Sequence, residues 1–325
     1  MPDRLKVAVI GASGIGQHHA RWHHLSGSQV VAFVGTSEAS CAKTQSQLQA
    51  YFGFDGRAYT DVAQMLAAEQ SDVVDVSSPF HLHKEHAIMA LESGCHVVCE
   101  KPLCWDVDRS LDDILADGQA VVQAAEQAGR SLVMSAQYPA GISVYRDFYT
   151  QVRGALDAIE SLEMEMEVKG RGGPKAREDI WIDVASHPLS LVLGFLPGGE
   201  IDWATASCAI GERENRASFE VVTPGGRCDV RFVLRDIDEG VPVRQFGVNG
   251  FLVNWEGFAD DEGIYRARLV HGDEAVICRD FMHILIDEFG KHVRGDGGRV
   301  VVSGADALVN LQYQIALLKQ ADWSV

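Results

Sequence analysis

The sequence predicts an α/β protein: an N-terminal doubly wound parallel sheet, followed by a C-terminal α+β domain built on a mostly antiparallel open sheet. Three observations carry this. Short β-branched runs alternate with helical segments up to about Ser135, which is the pattern of parallel strands covered on both faces. After Gln137 the texture changes to longer runs of period two, as in LEMEMEV, the mark of a sheet with one wet face. The length of 325 residues suits two domains, placed at 1–136 and 137–325.

The first strand is LKVAVI (5–10), stopped by glycines, and a helix continues from Ile15 to Leu25. The alternation then runs through a strand at 29–34, a helix at 38–50, a strand at 57–59, a helix at 61–68 and a strand at 72–76. It closes with a helix at 82–93, a strand at 96–99, a helix at 107–128 and a strand at 131–135. In the second half, a helix is expected at 141–153, and strands at 159–168, 202–210, 217–223, 227–236, 243–254 and 264–270. REDIWIDVASHPLSLVLGF (177–195) reads as one helix and 303–320 as another.

Composition excludes several classes. With 46 acidic against 28 basic residues the formal charge is -18, which repels a phosphate backbone and argues against nucleic-acid binding. No window has the apolar length of a bilayer span. The N-terminus, MPDRLKVAVIGASG, lacks the features of a secretory signal, so a cytoplasmic protein is expected. Seven cysteines without CxxC pairs read as reduced, mostly buried thiols, and no metal site is expected. HHARWHH (His18, His19, His23, His24) has metal-like spacing but reads as a solvated or packed helix. GRGGPKAR (170–177) reads as a surface loop that could close over a substrate.

Chemistry concentrates in three stretches. VAVIGASGIG sets Gly11, Gly14 and Gly16 between the first strand and first helix, with Ser13 where the G-x-G-x-x-G pattern has its second glycine. Backbone amides of Gly11, Ser13, Gly14, Ile15 and Gly16 there could face a pyrophosphate, although a plain tight turn has the same spacing. The second strand ends in Gly35, Thr36 and Ser37, without the acidic residue that holds an NAD ribose, which leans towards NADP; Glu38 keeps NAD open. In WIDVASHPL, Asp183 and His187 are four residues apart on one expected helix face, where a carboxylate can orient an imidazole for general acid–base work.

The third stretch is DVVDVSSPFHLHKEHAIMALESGCHVVCEKPL. Its Ser78, Pro79, His83, Gly94 and Glu100-Lys101-Pro102 resemble the Gfo/Idh/MocA family, relatives of glucose-fructose oxidoreductase and inositol dehydrogenase. Phe80 stands where relatives carry asparagine. WIDVASHPL resembles the family's D-x-G-x-H-x-x-D segment, with Ala185 for the glycine and Ser190 for the last aspartate, and Tyr138 stands where arginine is common.

The resemblance covers the whole chain and implies a Rossmann domain that binds NADP or NAD and a second domain for substrate binding and oligomerisation. It implies hydride transfer between nicotinamide and a secondary alcohol or ketone of a small polyhydroxylated substrate: a sugar, sugar nucleotide or cyclitol. Lys101 would polarise the reacting oxygen, His187 would exchange its proton and Asp183 would orient His187 or the substrate. Ser78, Pro79, His83, Glu100 and Lys101 join the cofactor set, and Tyr138 and Trp181 the substrate set. A homo-oligomer, dimer or tetramer, is implied, though Glu163, Glu165 and Glu167 would make one sheet face acidic. Two other readings remain: a nicotinamide-binding sensor without turnover, and a reaction in which the redox step is transient.

Overall fold

The computed structural model describes residues 4–169 and 177–324; all but Arg177 of the GRGGPKAR stretch lies outside them. The chain forms two compact units: residues up to Ala136 with Met282–Leu311, and Gln137–Phe281 with the residues from Gln312 onward. A single cut at residue 136 therefore misses one return of the chain.

In the first unit β1 (Lys6–Ile10), β2 (Gln29–Val34), β3 (Arg57–Tyr59), β4 (Val73–Val76), β5 (His96–Cys99) and β6 (Leu132–Met134) are all parallel, in the order β3-β2-β1-β4-β5-β6. Between them run α1 (Ile15–Leu25), α2 (Glu38–Phe52), α3 (Val62–Glu69), α4 (His83–Glu92) and α5 (Leu111–Ala128). β4 is VVDV and every residue of it is buried, as a central parallel strand requires. α5 begins four residues later than expected because Ser110 caps it, accepting from the Asp113 amide at 3.1 Å. The strand order reverses between β1 and β4, so the turns after these two strands flank the crevice where open α/β sheets bind ligands.

The second unit opens with α6 (Ile142–Arg153), β7 (Ser161–Lys169), α7 (Asp179–Val184) and α8 (Ser186–Phe195). The strands β8 (Glu200–Ile210), β9 (Glu214–Thr223), β10 (Gly226–Ile237), β11 (Arg244–Val248), β12 (Phe251–Ala259), β13 (Tyr265–His271) and β14 (Glu274–Arg279) follow, then α9 (Phe281–Arg294) and α10 (Gly304–Lys319). With β7 they form an eight-stranded sheet, order β14-β13-β12-β11-β7-β10-β9-β8, antiparallel except for the β7–β10 pair.

Three expectations need correction. The run 243–254 is a hairpin, turned at Asn249 and Gly250, which have φ of 51° and 72°; Asn-Gly readily takes the left-handed pair of a two-residue turn. The single helix at 177–195 is two helices meeting at Ala185. Pro188 has no amide to donate to Val184, which permits the break. Residues 281–294, given no element from sequence, form α9.

Candidate active site

The turn after β1 is built by its glycines. Gly11 has φ +87°, and a Cβ there would lie 2.7 Å from the Ser77 carbonyl oxygen, so the turns after β1 and β4 pack backbone to backbone. A Cβ on Gly16 would meet Gly11 O at 2.1 Å. Gly14 (φ 58°, ψ -120°) precedes α1, has open space around its Cβ position, and supplies no side-chain cap to the helix amides. Ser13, Gly14 and Ile15 are exposed. Of the five predicted amides, Gly11 donates to Val34 O at 3.0 Å and Gly16 to Ser13 O at 3.1 Å; those of Ser13, Gly14 and Ile15, uncapped at the start of the helix, fit a pyrophosphate.

At the end of β2 the predicted cofactor residues have local tasks. Ser37 caps α2, accepting from the Ser40 amide at 3.2 Å, while Ser40 Oγ accepts from the Ser37 amide at 3.0 Å. Thr36 Oγ1 lies 3.3 Å from Ser40 Oγ. The Ser37 hydroxyl is thus spent on the capping box.

Glu100 follows β5, its amide bonded to Val76 O at 2.9 Å, and the Lys101–Pro102 peptide is cis. Glu100 is 9% exposed, and its Oε2 accepts from the Lys101 amide at 3.3 Å. His83, expected to face cofactor, is 1% exposed, with Nδ1 2.8 Å from Pro102 O and Nε2 2.8 Å from Ser78 O. Whichever nitrogen of the neutral ring carries the proton has a carbonyl to donate to, so His83 is packed between the turns after β4 and β5 as a strap rather than a ligand. Burial lowers its pKa, against those two carbonyls. Ser78 Oγ lies 2.9 Å from His86 Nδ1, and Pro79 is exposed.

The sequence reading missed what stands behind Glu100. His19, on α1 and fully buried, has Nδ1 3.0 Å from Asp75 Oδ1 and Nε2 3.1 Å from Glu100 Oε1. His23, one turn on, bonds Asp75 Oδ2 at 2.9 Å, and Ser77 Oγ donates to Asp75 Oδ1 at 2.8 Å. Burial alone would strip the proton from His19, but the carboxylates of Asp75 and Glu100 override it and raise the pKa to about 10. Asp75, fully buried, is held well below the usual carboxylate range: desolvation opposes ionisation, and His19 and His23 more than offset it. His19 of HHARWHH is therefore an internal counter-charge, and His23 a further hydrogen-bond partner of Asp75. Among the described residues no group of three or more His, Cys, Asp or Glu is placed to hold a metal.

In the second unit Tyr138 and His187 stand edge to face, centroids 5.2 Å apart, exposed 0% and 7%. Asp183 is half-buried on α7 and His187 sits on α8, so the two are on consecutive helices rather than one face of a single helix. Trp181, expected at the substrate, is fully buried, stacks on Phe232 and donates to Gln314 O at 3.2 Å. It is a core residue.

Uncapped amides at a switch point beside a strand-end Lys are the arrangement of doubly wound α/β folds that bind a ligand in that crevice. Residues 5–136 match the model of the Gfo/Idh/MocA group, described as an oxidoreductase family with an NAD-binding Rossmann fold. The match is confined to these residues of the first unit. It is 33% identical over 132 residues to a D-apiose dehydrogenase of Paraburkholderia graminis, covering 40% of this chain and 32% of that protein. It is 30% identical over 184 residues to an inositol 2-dehydrogenase of Pseudomonas syringae, covering 56% and 50%. The chain thus spans a third to a half of these curated relatives. An inositol dehydrogenase homolog from Azotobacter vinelandii complexed with NAD+ superposes with a TM-score of 0.71 over 98% of this chain and 96% of that one, at 18% identity, a likeness of fold.

Proposed function

We propose that the protein is an NAD(P)-dependent dehydrogenase or reductase acting on a secondary alcohol or ketone of a small polyhydroxylated substrate: a sugar, sugar nucleotide or cyclitol. The observation that carries this is Glu100-Lys101-Pro102 at the carboxyl end of β5, held by the His19–Asp75 ion pair behind it and the His83 strap beside it. The relatives' names, D-apiose and inositol dehydrogenases, support the substrate class.

When bound, the nicotinamide supplies the hydride acceptor or donor. Amides of Ser13, Gly14 and Ile15 would hold its pyrophosphate, while those of Gly11 and Gly16 are bonded to Val34 O and Ser13 O and shape the turn. Lys101 donates to the reacting oxygen and stabilises the charge that grows there as hydride leaves or arrives. His187 takes or returns the hydroxyl proton, and Asp183 orients His187 or the substrate. Tyr138 lines His187.

The test is turnover followed by nicotinamide absorbance across sugars and cyclitols. Lys101→Ala and His187→Ala should each lower kcat/KM by about 10²- to 10³-fold. Wild-type turnover in either variant sinks the assignment. The missing carboxylate after β2 favours NADP over NAD; Thr36→Asp should reverse that preference at least tenfold in cofactor titrations. We also propose a cytoplasmic homo-oligomer, dimer or tetramer. All seven cysteines are free, in keeping with a reducing compartment. Two of the β7 glutamates find counter-charge within their own sheet: Arg235 pairs with Glu165 and lies 3.7 Å from Glu167. Sedimentation measures the assembly. No helix of the described residues is long and apolar enough to cross a membrane.

A further inference from the structure

Alternation along β11 puts Arg244 on the same side as buried Phe246, and the β11–β12 register puts Trp255 of β12 on that side too. Tyr138 packs there, its ring 5.6 Å from Phe246, 6.2 Å from Trp255 and 5.2 Å from His187. The Arg244 guanidinium lies 5.2 Å over the Trp255 ring.

Three polar atoms of this cluster are buried without a hydrogen-bond partner among the described residues: Tyr138 Oη, Arg244 Nε and Trp255 Nε1. Two can only donate, and the third can donate. Tyr138 is 0% and Trp255 8% exposed. Among the described residues no carboxylate pairs with Arg244, whereas Arg227, Arg235 and Arg268 of the same sheet are all ion-paired. Stacking over Trp255 favours the cation but gives Nε no acceptor. Burial, with the nearby Asp280 carboxylate, outweighs Arg244 and pushes the Tyr138 phenol up to about 12, so it stays a donor at neutral pH. Asp280 is itself engaged in other interactions. In a chain of net charge -18, a half-buried arginine that shuns every available carboxylate is costly unless something else brings the negative charge.

We infer that Arg244, Tyr138 Oη and Trp255 Nε1 form a subsite for an anionic substituent, carboxylate or phosphate, on the substrate that His187 serves. The inference rests on the oxidoreductase reading above and narrows its substrate class to acidic or phosphorylated polyols.

Calorimetric titration of the full chain, with nicotinamide cofactor present, compares D-glucuronate and D-glucose 6-phosphate with D-glucose. At least one anion should bind tenfold or more tightly than glucose, and which one does separates carboxylate from phosphate. Arg244→Gln should erase most of that ratio and Arg244→Lys should restore part. Should Arg244→Gln fail to fold, wild-type anion affinity must fall as NaCl rises from low to high concentration while any glucose affinity holds. Anions binding no tighter than glucose, a ratio that survives Arg244→Gln, or salt-insensitive anion binding each overturns the subsite. Because binding is read without turnover, that outcome is separable from failure of the hydride-transfer reading, which Lys101→Ala and His187→Ala decide.

Discussion

His19 is the residue on which the first unit's charge balance turns. It is a fully buried cation between Asp75 and Glu100. Removing one partner of a buried pair leaves an uncompensated charge, so His19→Ala should cost about 3–5 kcal/mol in denaturant unfolding. The same bond predicts a pH dependence. His19's folded pKa lies above its ordinary 6.5, at about 10, so its contribution is complete below pH 6.5 and fades as pH rises towards 10. Asp75 is shifted downward, so its contribution is present above its ordinary 3.8 and is lost as pH falls below that. Stability should therefore decline between pH 6.5 and 9.5 in the wild type by up to about 1.4 kcal/mol per unit, and much less steeply in His19→Ala. Equal slopes would show that His19 does not carry the charge. Sequence alone exposes the histidines at i and i+4 but not Asp75 or Glu100, 56 and 81 positions further on, and so reads a packed helix without its purpose. Trp181 and His83 mislead for a related reason: residue type is legible in sequence, but whether the polar edge is already satisfied at home is a property of packing.

At the scale of elements, alternation of short apolar runs made the parallel sheet legible almost strand for strand, because a strand buried on both faces has no other composition open to it. What escaped were interruptions set by single residues: Pro188 in the first turn of α8, Ser110 at the head of α5, and Asn249-Gly250, a turn signal inside a long apolar run. The FMHILIDEFGKHVR segment of α9 carries apolar residues at 281, 282, 285, 286 and 289, a helical stripe that periodicity could have found. The glycine turn separates folding from binding. Gly11→Ala places a methyl within 2.7 Å of a backbone oxygen at positive φ and should lower the unfolding midpoint markedly. Gly14→Ala meets nothing within 4 Å, so it should cost only about 1–3 kcal/mol of backbone strain while filling the space above the α1 amides. Its main effect should be a tenfold or greater loss of cofactor affinity by fluorescence titration. If Gly14→Ala binds cofactor normally, the pyrophosphate does not lie over that turn.

At the scale of the molecule, the return of residues 282–311 decides how much chain the first unit needs. The Met134 amide bonds Val302 O at 2.9 Å, and Val133 bridges Ser303, so β6 gains a neighbour the first 136 residues cannot provide. Val302 and Ala307 belong to the same buried cluster as Val97, Leu132 and Met134. Gly118 on α5 exists to admit Leu311, since a Cβ there would lie 2.5 Å from its Cδ2. Leu285, Ile286, Phe289, Val302 and Leu311 are each 0–2% exposed. At roughly 1.5–3 kcal/mol for each buried side chain, their loss amounts to about ten kcal/mol. A domain of this size has only about 5–15 kcal/mol in total, so a fragment ending at Ala136 should not hold a native fold. It should show no cooperative thermal transition by circular dichroism and no cofactor binding. Joining 282–311 to it through a flexible linker should restore both, and a cooperative 1–136 fragment would show that the return segment is an accessory.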